Sequence, residues 1–124
     1  MYKEETKFWH EIRKHKSKIS WTRLENSAAH GTPDLLGYND NSTFFTVELK
    51  LKKVKKISFS PHQIAFHIKH PKNTFIMVKD WPKARGLRAV NLYEGTEIHA
   101  LVGGTHPTPV ACGLSACCLF LERL

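Results

Sequence analysis

The sequence contains few cysteines and no hydrophobic run long enough to cross a membrane. Its three cysteines lie between Cys112 and Cys118 and form no C-x-x-C pair, a pattern that argues against a disulfide-stapled fold or a structural zinc site. No apolar run approaches the roughly 18 residues of a spanning helix. Lys3, Glu4 and Glu5 interrupt the start of the chain, where a secretory signal would be apolar. We therefore expect a soluble, intracellular protein.

Acidic residues are scarce relative to basic ones. The 124 residues include 19 Lys and Arg but only 11 Asp and Glu, which gives a formal net charge of +8. Such an excess favours an anionic partner, and nucleic acid is the leading class. A basic protein without a polyanionic partner is the alternative. The length predicts one domain with a single core.

A twenty-residue stretch from Gly31 to Lys50, GTPDLLGYNDNSTFFTVELK, predicts a β-hairpin. Pro33–Tyr38 and Thr43–Lys50 are the two strands, and the polar residues between them are strong turn formers. Side chains alternate along a strand, so Glu48 and Lys50 project from one face and the apolar residues of the second strand pack on the other.

The register of this hairpin predicts that two carboxylates come together. If the turn is centred on Asn41, Asp34 lies directly opposite Glu48, with Cβ atoms about 4.5–5.5 Å apart. Two unshielded carboxylates at that distance repel each other, whereas a divalent cation would hold both. Mg²⁺ is typically bound by one or two carboxylates together with waters and phosphate oxygens. The pair therefore predicts a site for Mg²⁺ or Mn²⁺.

These residues resemble the motif of the PD-(D/E)XK nuclease superfamily. The matching positions are Pro33-Asp34, Glu48 and Lys50, in that order and with the hairpin between them. The wider context, GTPDLLG, then ELK, then SPHQ at Ser60 to Gln63, is most similar to the virus-type replication-repair nucleases (VRR-NUC), which are often phage-encoded.

The resemblance covers roughly residues 4–79 and implies a fold. It implies a single nuclease domain over residues 1–124, with a core at about 4–79 and a C-terminal extension at about 80–124. That core is restriction-endonuclease-like, of the α/β (α+β) class, with a central mixed β-sheet flanked by helices in the order αβββαβ.

The resemblance also implies a metal-dependent endonuclease that hydrolyses DNA phosphodiester bonds. Asp34, Glu48 and the backbone carbonyl of Leu49 would hold the metal, and Lys50 and Gln63 would complete the catalytic set. The implied setting is phage replication, recombination or repair in the host cytoplasm. A homodimer would supply the two sites that paired incisions of a Holliday junction need. A non-cleaving nucleic-acid-binding module and a general DNA or RNA nuclease remain open alternatives.

Lys3–Lys16 has the apolar periodicity of a helix, and Glu5 falls in the middle of its apolar arc. A carboxylate there needs a partner, because burying an unpaired charge is costly. Nucleases of this superfamily often place a glutamate of the first helix near the metal, which implies that role for Glu5, with Glu11 as the reserve. Glu5 is equally explained as a favourable acid in the first turn of a helix.

Ser60 predicts the N-cap of a second helix, with Pro61 at its first position and Gln63 three residues after the cap. Gln63 therefore has two interpretations, one as part of a capping box and one beside the active site. The predicted contacts to nucleic acid are basic side chains around this region: Lys52, Lys53, Lys55, Lys56, His67 and Arg85. A solvated run of lysines is the alternative.

The remaining predicted strands are Ile19–Glu25, Asn73–Lys79, Ala89–Tyr93 and Thr96–Val102. Asn73–Lys79 contains a continuous apolar run, which indicates a strand buried on both faces. The final segment, Leu114–Leu124, is apolar but has no decisive periodicity. We expect it to complete the core or to form an interface.

Overall fold

A computed structural model describes residues 3–24, 30–53, 57–80 and 89–124. Its helices and strands follow one another in the order α1 (Lys3–Lys14), β1 (Ile19–Arg23), β2 (Leu35–Asn39), β3 (Phe44–Lys52), α2 (Pro61–Lys69), β4 (Thr74–Asp80), β5 (Val90–Glu94), a 3₁₀ turn (Gly95–Glu97), α3 (Ile98–Val102), β6 (Ala111–Cys112) and α4 (Leu114–Glu122). The predicted order of helix, three strands, helix and strand is confirmed, with most boundaries shifted by one or two residues.

The strands form one mixed sheet of six in the order β1-β2-β3-β4-β5-β6. Only β3 and β4 are parallel among these described strands, and α2 is the crossover between them. All other neighbours are antiparallel. The predicted class, an α+β fold with a mixed sheet flanked by helices, is thus confirmed. Its finer assignment as restriction-endonuclease-like stays a prediction.

The sheet is covered on both faces. Helices α1 and α4 pack on the first face, where Phe8 and Leu121 join the apolar side chains of β2, β3 and β4. Helices α2 and α3 lie on the second face, where Ile98 and Leu101 contact Ile76. Strand β4 is buried from Thr74 to Lys79, as its continuous apolar run predicted.

The β2–β3 hairpin has the predicted register. Leu35 pairs with Val47 and Tyr38 pairs with Phe44, which is the pairing expected for a turn centred on Asn41. Gly37 lies opposite Phe45, and a Cβ atom at Gly37 would fall 2.3 Å from the Phe45 ring. Glycine is therefore required there for the ring to lie across the strand.

The prediction of a strand at Thr96–Val102 is wrong. The segment forms a 3₁₀ turn and then α3, because Ile98 and Leu101 are spaced so that a helical turn buries both against the second face. The final segment is a helix, and its Cys117 and Leu121 belong to the same core cluster as Phe8. The C-terminal part thus continues the sheet and completes the core.

The described helices include none with the length and apolarity needed to span a bilayer. All three cysteines are free, and burial raises the pKa of Cys117 to about 12 and that of Cys118 to about 11. These two thiols lie in the core and are poor nucleophiles.

Candidate functional site

Asp34 lies where the hairpin ladder ends. Strand β2 begins one residue later, and the Asp34 carboxylate takes the place of a backbone partner by accepting a 2.8 Å hydrogen bond at Oδ2 from Leu49 N. Because the N–H and C=O of one strand residue face the same neighbour, the Leu49 carbonyl faces the Asp34 side as well. The local backbone thus brings together the carboxylate and the carbonyl that the sequence predicted as ligands.

Glu48 is a buried carboxylate with 3 % of its surface exposed. Burial, followed by the charge of Asp34, raises its pKa to about 9, while the charge of Lys50 acts in the opposite direction. Its Oε1 atom is buried and has no hydrogen-bond partner in the part of the chain that the structure describes. A cation or a proton at Glu48 would remove the cost of this arrangement.

Gln63 joins Glu48 to Lys50. Its Nε2 donates to Glu48 Oε2 at 3.1 Å, and its Oε1 accepts from Lys50 Nζ at 2.8 Å. The same Oε1 accepts from Ser60 N at 2.9 Å, and Gln63 N donates to Ser60 Oγ at 3.1 Å, which completes a capping box. The two interpretations of Gln63 therefore describe one geometry, in which the cap holds the amide beside the site.

Lys50 is half-buried, and its Nζ atom lies 4.9 Å from the centroid of the Phe59 ring. An ammonium over an aromatic face is stabilised by the ring's quadrupole. Phe59 lies in the connection before α2, and no motif in the sequence marks it as part of the site.

Glu5 is the helix glutamate that approaches the site. It is half-buried, and its pKa is raised by burial and then by the charge of Asp34, while Lys50 and Lys53 lower it. The reserve candidate Glu11 instead forms an ion pair with the buried Lys79 of β4. Glu11 is therefore engaged elsewhere.

The carboxylates fit a hard divalent cation that takes few protein ligands. The described residues contain no group of three or more His, Cys, Asp or Glu side chains close enough to hold a metal together. Mg²⁺, however, keeps several waters and commonly uses only one or two carboxylates. Asp34 and Glu48, with the unpartnered Oε1 of Glu48, meet that requirement.

The loop before Asp34 is tied closely to the start of α2. Gly31 has a φ angle of +82°, and a Cβ atom there would lie 2.4 Å from His62 O. His30 stacks on His62 with ring centroids 5.0 Å apart. Glycine is required at this approach, because other residues rarely adopt that φ and have no space for a side chain. The contact sets the Asp34 segment against the helix that carries Gln63.

The predicted contacts to nucleic acid are only partly accessible. Lys53 is exposed and Lys52 is half-buried, whereas Lys55, Lys56 and Arg85 lie outside the described residues. The prediction for His67 is wrong, because its side chain is 1 % exposed and its Nδ1 atom lies 2.9 Å from Gln63 O. Helix α2 turns His67 toward the sheet, and burial lowers its pKa.

No protein-family description matches this chain, and no match was found among the curated proteins or the solved structures.

Proposed function

We propose that this protein is a metal-dependent endonuclease that hydrolyses phosphodiester bonds in DNA. The observation that carries the proposal is the buried Glu48 carboxylate beside the half-buried Asp34, with Gln63 joining Glu48 to Lys50. The arrangement costs stability, because Glu48 is desolvated next to a second carboxylate. A cation bound between these carboxylates would offset that cost.

Asp34, Glu48 and the Leu49 carbonyl would hold Mg²⁺ or Mn²⁺, with Glu5 as a further carboxylate near the site. When bound, the ion polarises the scissile phosphate and lowers the pKa of a water. Hydrogen bonding to Leu49 N orients Asp34, and Gln63 orients Glu48. These contacts hold the carboxylates in position before any substrate binds.

Lys50 and Gln63 act on the substrate. The Lys50 ammonium offsets the negative charge that builds on the phosphate oxygens in the transition state. Its hydrogen bond to Gln63 and its contact with Phe59 restrain the ammonium beside the carboxylates. Gln63, which the cap of α2 holds in place, orients the attacking water or the phosphate.

A nucleic-acid-binding module that does not cleave is the competing function. Such a module would need the basic side chains but would gain nothing from a buried Glu48 beside Asp34. The basic residues near the site, including Lys53, suit either function. The carboxylate pair therefore favours cleavage over binding alone.

Cleavage assays with Mg²⁺ and with EDTA test the proposal. A branched substrate, a linear duplex and a single strand, each as DNA and as RNA, would identify the preferred substrate. We expect cleavage to require the metal, and Asp34→Ala, Glu48→Ala and Lys50→Ala each to abolish it while the circular dichroism spectrum stays native. A folded Lys50→Ala protein with undiminished cleavage would contradict the mechanism.

We further propose that the protein acts as a homodimer on branched DNA. One chain carries one such site, and two incisions at a four-way junction need two sites related by symmetry. Leu119 on α4 is 45 % exposed and lines an apolar groove with Val110 and Phe120, which a second copy could cover. Light scattering at several concentrations tests this. If the protein is a monomer and cuts junctions no faster than linear duplexes, it is better described as a general nuclease.

A further inference from the structure

We propose that Tyr38 and Phe44, an exposed aromatic pair on the hairpin, stack against unpaired bases of the nucleic acid next to the cleavage site. The inference rests on the proposed function for the identity of the polymer. It adds the class of substrate: a strand with an unpaired segment, as found at a branch, a flap or a single-stranded end.

Both large aromatic side chains of the pair are exposed. Phe44 is 59 % exposed and Tyr38 is 37 % exposed. The residues are cross-strand partners, and their ring centroids are 4.4 Å apart with a 47° angle between the planes. Neither ring belongs to either core cluster of the described residues. Their contact holds two aromatic surfaces in place and leaves much of both in solvent.

The aromatic pair shares a sheet face with the catalytic residues. Along β3, Phe44, Glu48 and Lys50 are separated by even numbers of residues, so their side chains project to the same side. Four residues of strand separate Phe44 from Glu48, or about 13 Å at about 3.3 Å per residue. A stacked DNA strand rises about 3.4 Å per nucleotide, so the pair would meet a base about four nucleotides from the scissile phosphate.

Helix α2 lies on the same face of the sheet, where Gln63 contacts Glu48. The side of α2 that carries His62 faces the loop before β2, since His62 stacks on His30 there. Phe66 and His70 follow His62 at intervals of four residues and therefore lie on that side, with ring centroids 4.3 Å apart. Aromatic and imidazole rings thus follow one side of α2, on the same sheet face as Phe44 and Glu48.

Charge on this side suits a polyanion. Lys69 and Lys72 are both exposed at the end of α2 and just after it. Lys72 lies one residue before Asn73, whose carbonyl accepts the hydrogen bond from Thr46 N, and so lies near the β3 segment that carries Phe44. Asp40, in the hairpin turn, is the acidic residue closest in sequence to Tyr38. Stacking surfaces combined with basic side chains are how proteins bind single strands without reading their sequence.

The test is equilibrium binding in EDTA, where no cleavage occurs. The probes are a short DNA strand containing 2-aminopurine and the same strand in a fully paired duplex. Phe44→Leu keeps an apolar partner for Tyr38 but removes the flat ring, and Phe44→Trp enlarges the ring. We expect Phe44→Leu to weaken single-strand binding about 5- to 150-fold and to abolish quenching of 2-aminopurine, with duplex binding unchanged. Phe44→Trp should retain both.

Val102→Ala, an exposed apolar change on α3, is the matched control and should bind like the wild type. Melting curves show which variants fold. If Phe44→Leu does not fold, Tyr38→Leu takes its place in the same binding test. Wild-type affinity and quenching in a folded Phe44→Leu protein would overturn the inference, leaving the pair as a stabiliser of the hairpin. The inference would also be overturned if Phe44→Leu dissociated an oligomer and left the affinity for single strands unchanged. Phe44-dependent binding without any metal-dependent cleavage would overturn the proposed nuclease and not this inference.

Discussion

Gln63 Nε2 donates a 3.1 Å hydrogen bond to the buried Glu48 Oε2 atom. The other end of the same amide accepts hydrogen bonds from Lys50 Nζ and Ser60 N. Because Lys50 Nζ and Ser60 N both donate to Gln63 Oε1, the amide is held with its NH₂ group toward the Glu48 carboxylate. One side chain therefore couples the start of α2 to two residues of β3.

Separate substitutions can divide the two roles of Gln63. We expect Gln63→Ala to reduce the single-turnover cleavage rate at least tenfold, since Lys50 and Glu48 both lose a partner. Ser60→Ala, the control, removes the cap hydroxyl and should cost about 1 kcal/mol of stability with a much smaller loss of rate. Rapid-quench kinetics and thermal melts measure the two effects. Equal rate losses in both variants would indicate that Gln63 acts only through the helix cap.

Glu48 should make stability fall as pH rises. Its pKa in the folded state is about 9, well above the ordinary 4.5, so the folded protein holds a proton that the unfolded chain releases between those values. The stabilising contribution is full below about pH 4.5 and is lost as pH rises toward 9. In EDTA, Glu48→Gln should therefore melt higher than the wild type at pH 8 and at a similar temperature at pH 4.

Mg²⁺ supplies the complementary measurement. A ligand that binds only the folded state raises its melting temperature by mass action. Adding Mg²⁺ at pH 8 should therefore stabilise the wild type and leave Glu48→Gln nearly unchanged. Equal stabilisation of both proteins would exclude Glu48 as a ligand.

Glu5 and Glu11 of α1 should respond in opposite ways to replacement by glutamine. Glu5 is half-buried near Asp34, and its raised pKa means that the ionised form destabilises the fold. Glu5→Gln should reduce the metal affinity or the rate, with thermal stability unchanged or raised. Glu11→Gln weakens the ion pair with Lys79 and should cost about 1 kcal/mol of stability with the rate intact. If Glu11→Gln is the variant that loses activity, Glu5 is the wrong carboxylate.

The lysines at the end of β3 and just after it should set the dependence of binding on salt. Each phosphate contact contributes about 0.9 to the log–log slope for duplex DNA. Replacing Lys52, Lys53, Lys55 and Lys56 together should flatten that slope and weaken binding to all sequences alike. Replacing four exposed basic residues near the end of α1, Arg13, Lys14, Lys16 and Lys18, is the matched control and should change the slope less. An unchanged slope in the fourfold lysine variant would mean that its lysines are only a solvated run.

The amino-acid sequence alone determined the local elements that build the site. The polar turn around Asn41 and the alternation along β3 set the register that brings Asp34 toward Glu48, because a shift of one residue would turn the apolar side chains away from the core. The sequence likewise predicts the hydrogen bonds between Ser60 and Gln63, since a capping box is a contact between near neighbours. These features depend on residues close in sequence.

Tertiary structure decided what depends on distant partners. His67 is buried because α2 packs that side on the sheet, and Glu11 is occupied because Lys79 of β4 faces it. Residues 96–102 contain strand-forming side chains, yet they form a helix because Ile98 and Leu101 then reach the core together. The burial that raises the pKa of Glu48 also needs the assembled fold, because desolvation is produced by every element packed around a group and not by its neighbours in sequence.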